Sequence, residues 1–343
     1  MQRKPVRLSD VARRAGTSTK TASRVLNGDA RVADDTRARV QQAMTDLGYQ
    51  VDVLARSLRK GVDETIAIVV PTIGDPFFAS MIEEIERAVF EHGTKLLVAT
   101  NFREPDQELQ VIHGLLARRV SGVIVTPFLA DYSFVETIGT PLVFLDRQPE
   151  GLRAGAIRVD DRGWAKRAVE HLIGHGHRRV AIVADELAIK TSKFRHEGYR
   201  DALADSGINV DLSLEALNCV RADDAYRATL ALLALDEPPT AIFSARSETS
   251  VGVVKALHEA DRRDVALVSF GDVELADLVQ PAVTVIDHSP RLLARRSVER
   301  LRARISGMPQ STEDDLLQMR LIERGSGELQ PSNRSVTAGG AVR

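Results

Sequence analysis

Residues 10 to 27 read Asp10-Val11-Ala12-Arg13-Arg14-Ala15-Gly16-Thr17-Ser18-Thr19-Lys20-Thr21-Ala22-Ser23-Arg24-Val25-Leu26-Asn27. Val11, Ala12 and Ala15 fall at helical spacing, with Ser9-Asp10 placing a capping residue and an acid ahead of them. Gly16 closes that segment, and Thr17 or Ser18 can cap a second one whose Ala22, Val25 and Leu26 share an apolar face. The spacing predicts a helix, a short turn containing Gly16, and a helix that shows Thr19, Lys20, Ser23 and Arg24 to its surroundings. That is a helix-turn-helix, in which the second helix aims hydrogen-bonding side chains at base edges in a major groove. A solvated helical hairpin with an ordinary charged face is the competing reading. Asn27-Gly28 is a natural stop, and a third run carries Val40, Ala43, Met44 and Leu47 inward from Asp34-Asp35 to Gly48.

Charge favours the nucleic-acid reading. The net charge is only -2, but residues 1 to 60 hold 13 Lys or Arg against 6 Asp or Glu, leaving the remainder acidic. A small basic segment that meets a polyanion and a large acidic body that does not is the implied division.

From Thr65 the period changes. Apolar runs at Ile66–Val70, Leu96–Ala99, Gly122–Thr126, Leu142–Leu145, Val180–Ala184, Ala241–Phe243 and Ala266–Phe270 alternate with amphipathic stretches at Phe78–His92, Gln107–Arg118, Ala165–Gly174, Lys193–Ser206, Ala225–Leu235 and Ser250–Ala260. Alternating strand and helix predicts parallel sheets with right-handed crossovers. So many units exceed one core, which predicts two doubly wound lobes with a cleft between them. The expected organisation is a helix-turn-helix head over 1–50, a hinge helix and linker over 51–64, and a two-lobed effector-binding and dimerisation domain over 65–325. Lobe 1 would take about 65–160 and 290–316, lobe 2 about 161–289 and 317–325. Residues 326–343, rich in Gly, Ser, Asn and Thr, are expected to be a disordered tail.

The 343 residues are 43% hydrophobic and 27% charged, ordinary for a globular chain with cores. No stretch approaches the roughly 18 consecutive apolar residues of a membrane-spanning helix, and the polar start lacks a signal-peptide core, so a cytoplasmic protein is expected. The single cysteine, Cys219, excludes a disulfide framework.

The quoted segment resembles the DNA-binding head of the lactose-repressor (LacI/GalR) family of bacterial transcription regulators, and the likeness continues through Arg37, Val40, Ala43, Leu47, Gly48 and Tyr49. Leu54-Ala55-Arg56-Ser57-Leu58-Arg59 is similar to the family's hinge. Further matches are Asp75-Pro76-Phe77-Phe78-Ala79, Arg119-Val120-Ser121-Gly122-Val123-Ile124, Pro141-Leu142-Val143-Phe144-Leu145-Asp146-Arg147, and the stretch from His171 to Ala181. The resemblance implies a homodimer on a palindromic operator in double-stranded DNA. It implies contacts from Ser18, Thr19, Lys20, Thr21, Ser23, Arg24, Asn27 and Ala55, with Leu58 wedged into the minor groove. Arg7 stands where a capping Thr is usual, and Asp52 and Val53 are less basic than many hinges of this kind.

The same resemblance implies a periplasmic-binding-protein-like body that holds a small effector between its lobes, a sugar or sugar acid. Phe77 and Phe78 would line the first-lobe wall, Asp146 and Asp160 would lie near the opening, and Thr191, Arg195, Arg246 and Asp272 would complete the site. Three positions depart from the pattern: Ala245-Arg246-Ser247 replaces Ala-Asn-Asp, Val220 replaces an aromatic, and Gly271 stands where an effector-binding Asp is usual. Arg195 and Arg246 would then favour an anionic effector such as a sugar acid or phosphorylated metabolite, unless Arg246 folds outward or pairs with Asp272.

No catalytic set, metal site or cofactor motif emerges. His171, His175 and His177 lack Cys or acid at zinc spacing and read as a solvated loop. Asp160-Asp161, Glu83-Glu84 and Asp314-Asp315 read as solvated faces. Gly174-His175-Gly176 lacks the third glycine of a dinucleotide fingerprint. A solute-binding protein for a transporter shares the body fold but fails on the basic head and the missing export signal. A sugar-processing hydrolase fails on the absent nucleophile motif.

Overall fold

The computed structural model describes residues 6–26, 29, 31–49, 63–274 and 276–332, so Asn27, Ala55 and Leu58 of the expected DNA surface lie outside the described residues. The chain divides into a unit ending at Asp63 and a second beginning at Glu64.

In the first unit three helices, α1 (Leu8–Arg14), α2 (Thr19–Leu26) and α3 (Asp34–Leu47), enclose a small core of Val11, Ala12, Ala15, Ala22, Val25, Val32, Val40 and Ala43. The start of α1 differs from the expected one. Arg7 takes the N-cap position with extended backbone, and its own N–H donates to the Asp10 carboxylate at 2.9 Å. Asp10 therefore sits in the first turn, where a negative charge opposes the helix dipole's positive end. Ser18 caps α2 by accepting the Thr21 N–H at 3.0 Å. Arg14 pairs with Asp46 at 3.3 Å and ties α1 to α3, while Arg37 donates to the Asp29 carbonyl at 3.0 Å and steadies the α2–α3 connection.

The second unit carries two six-stranded sheets. In lobe 1 these are β1 (Asp63–Val70), β2 (Lys95–Thr100), β3 (Val120–Val125), β4 (Leu142–Leu145), β5 (Ala156–Val159) and β11 (Asp315–Leu317), in the order β11-β5-β4-β3-β1-β2. Lobe 2 has β6 (Val180–Val183), β7 (Glu215–Ala216), β8 (Ala241–Ser244), β9 (Ala266–Phe270), β10 (Thr284–Asp287) and β12 (Arg320–Ile322), in the order β12-β10-β9-β8-β6-β7. The pairings β1–β2, β3–β4, β4–β5, β5–β11, β6–β7, β6–β8, β8–β9 and β9–β10 are parallel, and β10–β12 is antiparallel. Helices α4 (Pro76–Phe90), α5 (Pro105–Ala117) and α10 (Pro290–Ile305) cover lobe 1, and α6 (Asp161–Gly174), α7 (Lys190–Asp205), α8 (Ala222–Leu233) and α9 (Ser247–Glu259) cover lobe 2. Covered on both faces, β4, β6 and β8 are buried along their whole length, as parallel strands require. Helices α6 and α7 touch closely at Gly198, where a Cβ would lie 2.2 Å from the Arg162 carbonyl.

The chain crosses between lobes after β5, after β10 and after β11. In both sheets the strands end at the same gap, and the loops that follow them line it. A crevice outside the carboxyl ends of parallel strands is the usual ligand position of this architecture.

The segment expected to be disordered from 326 onward is packed as far as Ser332. Ser326 is buried and bonds Leu267 O and Thr284 N, and Glu328 accepts from Thr284, the Gly325 N–H and His171. His177, expected in a solvated loop, is fully buried between Thr240 and the Leu329 carbonyl. An irregular tail with few apolar residues is held here by polar side chains that burial would otherwise leave unpaired.

Candidate nucleic-acid interface and ligand cleft

Helix α2 has two chemically distinct faces. Ala22 and Val25 are buried, whereas Thr19, Lys20 and Arg24 are exposed and Thr21 and Ser23 half-buried. Lys20 has no ion-pair partner among the described residues. Arg24 lies 3.9 Å from Asp29, whose carboxylate is held chiefly by Arg31 and pushed down to about 2 by those bonds. Both cations can therefore turn to an outside anion at little cost. Ser18 and Thr21 share a hydroxyl bond at 2.9 Å, so each is partly committed to holding the helix start.

The cleft is lined from both lobes by loops that follow β1, β2, β3, β4, β6, β8, β9 and β10. Asp75 caps α4 by accepting the Phe77 N–H at 2.9 Å, and burial raises its pKa against the pull of Arg246. Arg147 is buried, pairs with Asp146 at 3.2 Å and lies over the Phe128 ring, with burial pushing its pKa down. Across the gap, Arg195 donates to Asp161 at 2.7 Å and to the Ala245 carbonyl at 2.8 Å, and its guanidinium stands 3.9 Å over the Phe270 ring. Burial raises the Asp161 carboxyl to about 6, with Arg195 opposing. Arg246 pairs with Asp185, donates to the Val220 carbonyl at 3.0 Å and approaches Asp75 at 3.7 Å. Arg103 reaches over from lobe 1 to Asp185 at 2.8 Å and Glu186 at 3.1 Å.

These side chains nearly fill the gap, leaving a cavity of about 70 Å³. Small-molecule sites span roughly 300–1,000 Å³. An effector can enter only if the lobes part or the arginines swing aside. Among the described residues no cluster of His, Cys, Asp and Glu could hold a metal ion, and no helix is long and apolar enough to cross a membrane.

Comparison with known proteins finds matches to both units. The family of bacterial regulatory proteins called lacI matches residues 7–52, and a periplasmic binding protein-like domain matches residues 169–327. The ribose operon repressor of Escherichia coli (strain K12) is 28% identical over 326 residues, covering 93% of this chain and 99% of the relative. The transcriptional repressor PurR of Pasteurella multocida is 28% identical over 308 residues, covering 87% and 92%. A Lac repressor dimer bound to operator and the anti-inducer ONPF superposes with a TM-score of 0.83 at 26% identity, covering 94% of this chain and 99% of that one. Residues 7–52 thus carry the helix-turn-helix domain of the lacI family, and the relatives similar to the whole chain are repressors of that family.

The cleft brings together Phe77, Phe78, Asp146, Thr191, Arg195 and Arg246 from the expected set. Two expected residues are elsewhere. Asp160 is exposed and caps α6 by accepting the Gly163 N–H at 3.0 Å; its neighbour Asp161, read as solvated, is the buried partner of Arg195. Asp272 is tied to Arg324 at 2.7 Å outside the cleft. Arg246 neither folds outward nor pairs with Asp272, and both it and Arg195 already have carboxylates, so the expected pair of free anion receptors is not present. Sequence reasoning passed over Arg103, Arg147, Asp185 and His288. A usable signal was there: Arg147 follows the Leu142–Leu145 run almost directly and Asp185 follows Val180–Ala184 at once, positions that a parallel sheet turns toward its ligand.

Proposed function

We propose that this lacI-family regulator is a sequence-specific DNA-binding transcriptional repressor, homodimeric and not an enzyme, whose grip on a palindromic operator is set by a small effector between the lobes. The observation that carries the reading is helix α2, apolar and buried on one side and presenting Thr19, Lys20 and Arg24 on the other. Lys20 and Arg24 take base or phosphate contacts, and Thr19 and Ser23 add hydrogen bonds. By family likeness Leu58 wedges into the minor groove and Asn27 and Ala55 add DNA contacts, all three lying outside the described residues. One short helix reads few base pairs, so two heads reading a palindrome are needed for useful specificity. Acting on operator DNA, the protein works in the cytoplasm.

Support for a second copy comes from lobe 2. Val251 and Leu278, 46% and 69% exposed, edge a hollow of about 500 Å³ that also includes Val254, Leu257, Val279 and Pro281. An apolar patch of this kind fits a self-complementary interface. The effector is a sugar or sugar-derived metabolite. Such a ligand can regulate only by preferring one lobe arrangement over the other, since equal affinity for both shifts nothing. Lobe closure then moves the paired first lobes and changes the spacing of the hinges.

Selection from randomised duplexes, followed by gel-shift titration with and without a sugar library, tests the function. The expected result is a palindromic consensus bound specifically, lost in Arg24→Ala and Leu58→Gly. Absence of any preference among duplexes at moderate ionic strength, with and without sugars, overturns it.

A further inference from the structure

Gly271 ends β9 beside His288 at the end of β10, and one residue makes room for the other. A Cβ on Gly271 would lie 2.8 Å from His288 Cε1 and 3.3 Å from Ser247 Cβ, and the backbone there has φ +100°. Any side chain at 271 would therefore compete with the imidazole for the same space. The ring is 7% exposed, stacked on Phe77 with centroids 4.6 Å apart, and tilted against Phe270 at 5.6 Å. Its Nδ1 is buried without a hydrogen-bond partner, and so is Nε of Arg246. Both residues line the cleft. Buried polar atoms are almost always bonded, and two orphans lining one cavity point to a missing molecule.

We propose that His288 is the effector-discriminating residue of this cleft, its Nδ1 bonded to a hydroxyl of an uncharged ligand while Arg246 Nε–H donates to a second ligand oxygen. This rests on reading the cleft as the effector site. A hydroxyl serves Nδ1 in either tautomer, because it can donate to a bare nitrogen or accept from a protonated one. A carboxylate or phosphate oxygen can only accept. The ring stays neutral, since burial and the nearby Arg195 hold its pKa down to about 3 against the opposing pull of Asp287 and the Ile286 carbonyl. Arg103, Arg147, Arg195 and Arg246 each already have a carboxylate partner, so an anionic ligand would find no unmatched positive charge. The wall built by Phe77, His288 and Phe270 is rigid and aromatic, which fixes the direction in which Nδ1 points.

The experiment compares wild type, His288→Gln and His288→Leu by thermal shift and calorimetry with D-ribose, D-glucose, D-gluconate and glucose 6-phosphate. It also follows the imidazole nitrogen resonances, with His288 assigned by its loss in His288→Gln. A neutral sugar is expected to raise the wild-type melting temperature and to move the His288 nitrogen signals. His288→Leu should weaken that sugar at least about tenfold, while His288→Gln, which keeps a hydrogen-bonding group, stays within a few-fold. The cooperative melting of each variant reports its folding. If a sugar binds and neither the His288 signals nor the leucine variant's affinity changes, the role of His288 is overturned and the cleft reading stands. If gluconate or the phosphate binds in preference, the uncharged ligand is overturned. If none of the four moves the melting temperature or any cleft signal, the sugar-site reading and this proposal fall together.

Discussion

Arg103 in lobe 1 donates to Asp185 in lobe 2 at 2.8 Å, joining the two walls of the cleft directly. The contact is costly to arrange, because Phe102 and Arg103 both hold positive φ, 52° and 67°. It nonetheless adds a cross-lobe attraction that favours the closed arrangement. Arg103→Ala should therefore widen the ligand-free interlobe distance. Spin labels on Glu136→Cys and Asp236→Cys read this out directly, since Cys219 is buried, its thiol is pushed up to about 11, and it will not compete for label. Identical distance distributions for wild type and Arg103→Ala would remove the latch from consideration.

Asp161 and Arg195 form a buried pair at 2.7 Å, the two side chains being 2% and 7% exposed. Truncating one partner leaves the other charged, buried and alone, which typically costs about 3–5 kcal/mol. Asp161→Ala is expected to lose stability on that scale in urea unfolding. The double variant Asp161→Leu with Arg195→Met should recover much of it, because no lone charge remains. A loss below about 1 kcal/mol in the single variant would mean that water reaches the pair on a scale the closed lobes do not permit.

Acid should weaken the fold through two histidines. His288 is held down to about 3, and burial lowers His177 as well. In the unfolded chain both titrate near 6.5, so below that pH the unfolded state takes up protons that the folded state refuses. Their contribution is fully present above about 6.5 and is lost as pH falls toward the folded values. Melting temperatures at pH 7.5 and pH 5 should therefore differ by less in His288→Gln than in wild type. An equal or larger gap in the variant would show that His288 is not the group responsible.

Most of the fold was legible because its signals are local and strong. Seven apolar runs marked β1, β2, β3, β4, β6, β8 and β9, though not the short interior strands β5 and β10, and Ser18, Ala22 and Val25 marked α2. Helix starts came out late: α4 begins at Pro76, α7 at Lys190 and α9 at Ser247, one turn or so before the apolar spacing shows itself. The first turns of α7 and α9 are polar where they face the cleft, and α4 opens on Pro76 and Phe77 ahead of its regular apolar spacing. Short outer strands such as β7, β11 and β12, of two or three residues, have no period to detect. The cleft was only half legible for a different reason. Family likeness points to positions, but Arg246 finds Asp185 and Gly271 admits His288 only through contacts between residues distant in sequence, and Asp272 is drawn off by Arg324.

Leu278 tests the assembly. At 69% exposure it edges, with Val251, the apolar hollow of lobe 2 that a second copy would cover. Leu278→Asp would set two like charges near each other across a two-fold contact. Light scattering should show wild type at twice the 37.6 kDa chain mass and the variant shifted toward one chain. Unchanged dimers would place the interface elsewhere.

On the proposed function, Lys20 and Arg24 should separate position from specificity along α2. A residue that touches only phosphate weakens all sequences alike and carries about one counterion, so removing it flattens the salt dependence by roughly 0.9 log units. A bidentate base contact instead costs about 1–3 kcal/mol at one base pair and relaxes preference there. Arg24, whose planar fork matches two acceptors of a guanine edge, is expected to behave in the second way; Lys20, a compact cation, in the first. Lys20→Ala should thus lower affinity for operator and random duplex together with a shallower salt slope, while Arg24→Ala should lose operator preference with little change in random binding. If both variants keep the wild-type affinity and the wild-type slope, α2 is not the face that meets DNA.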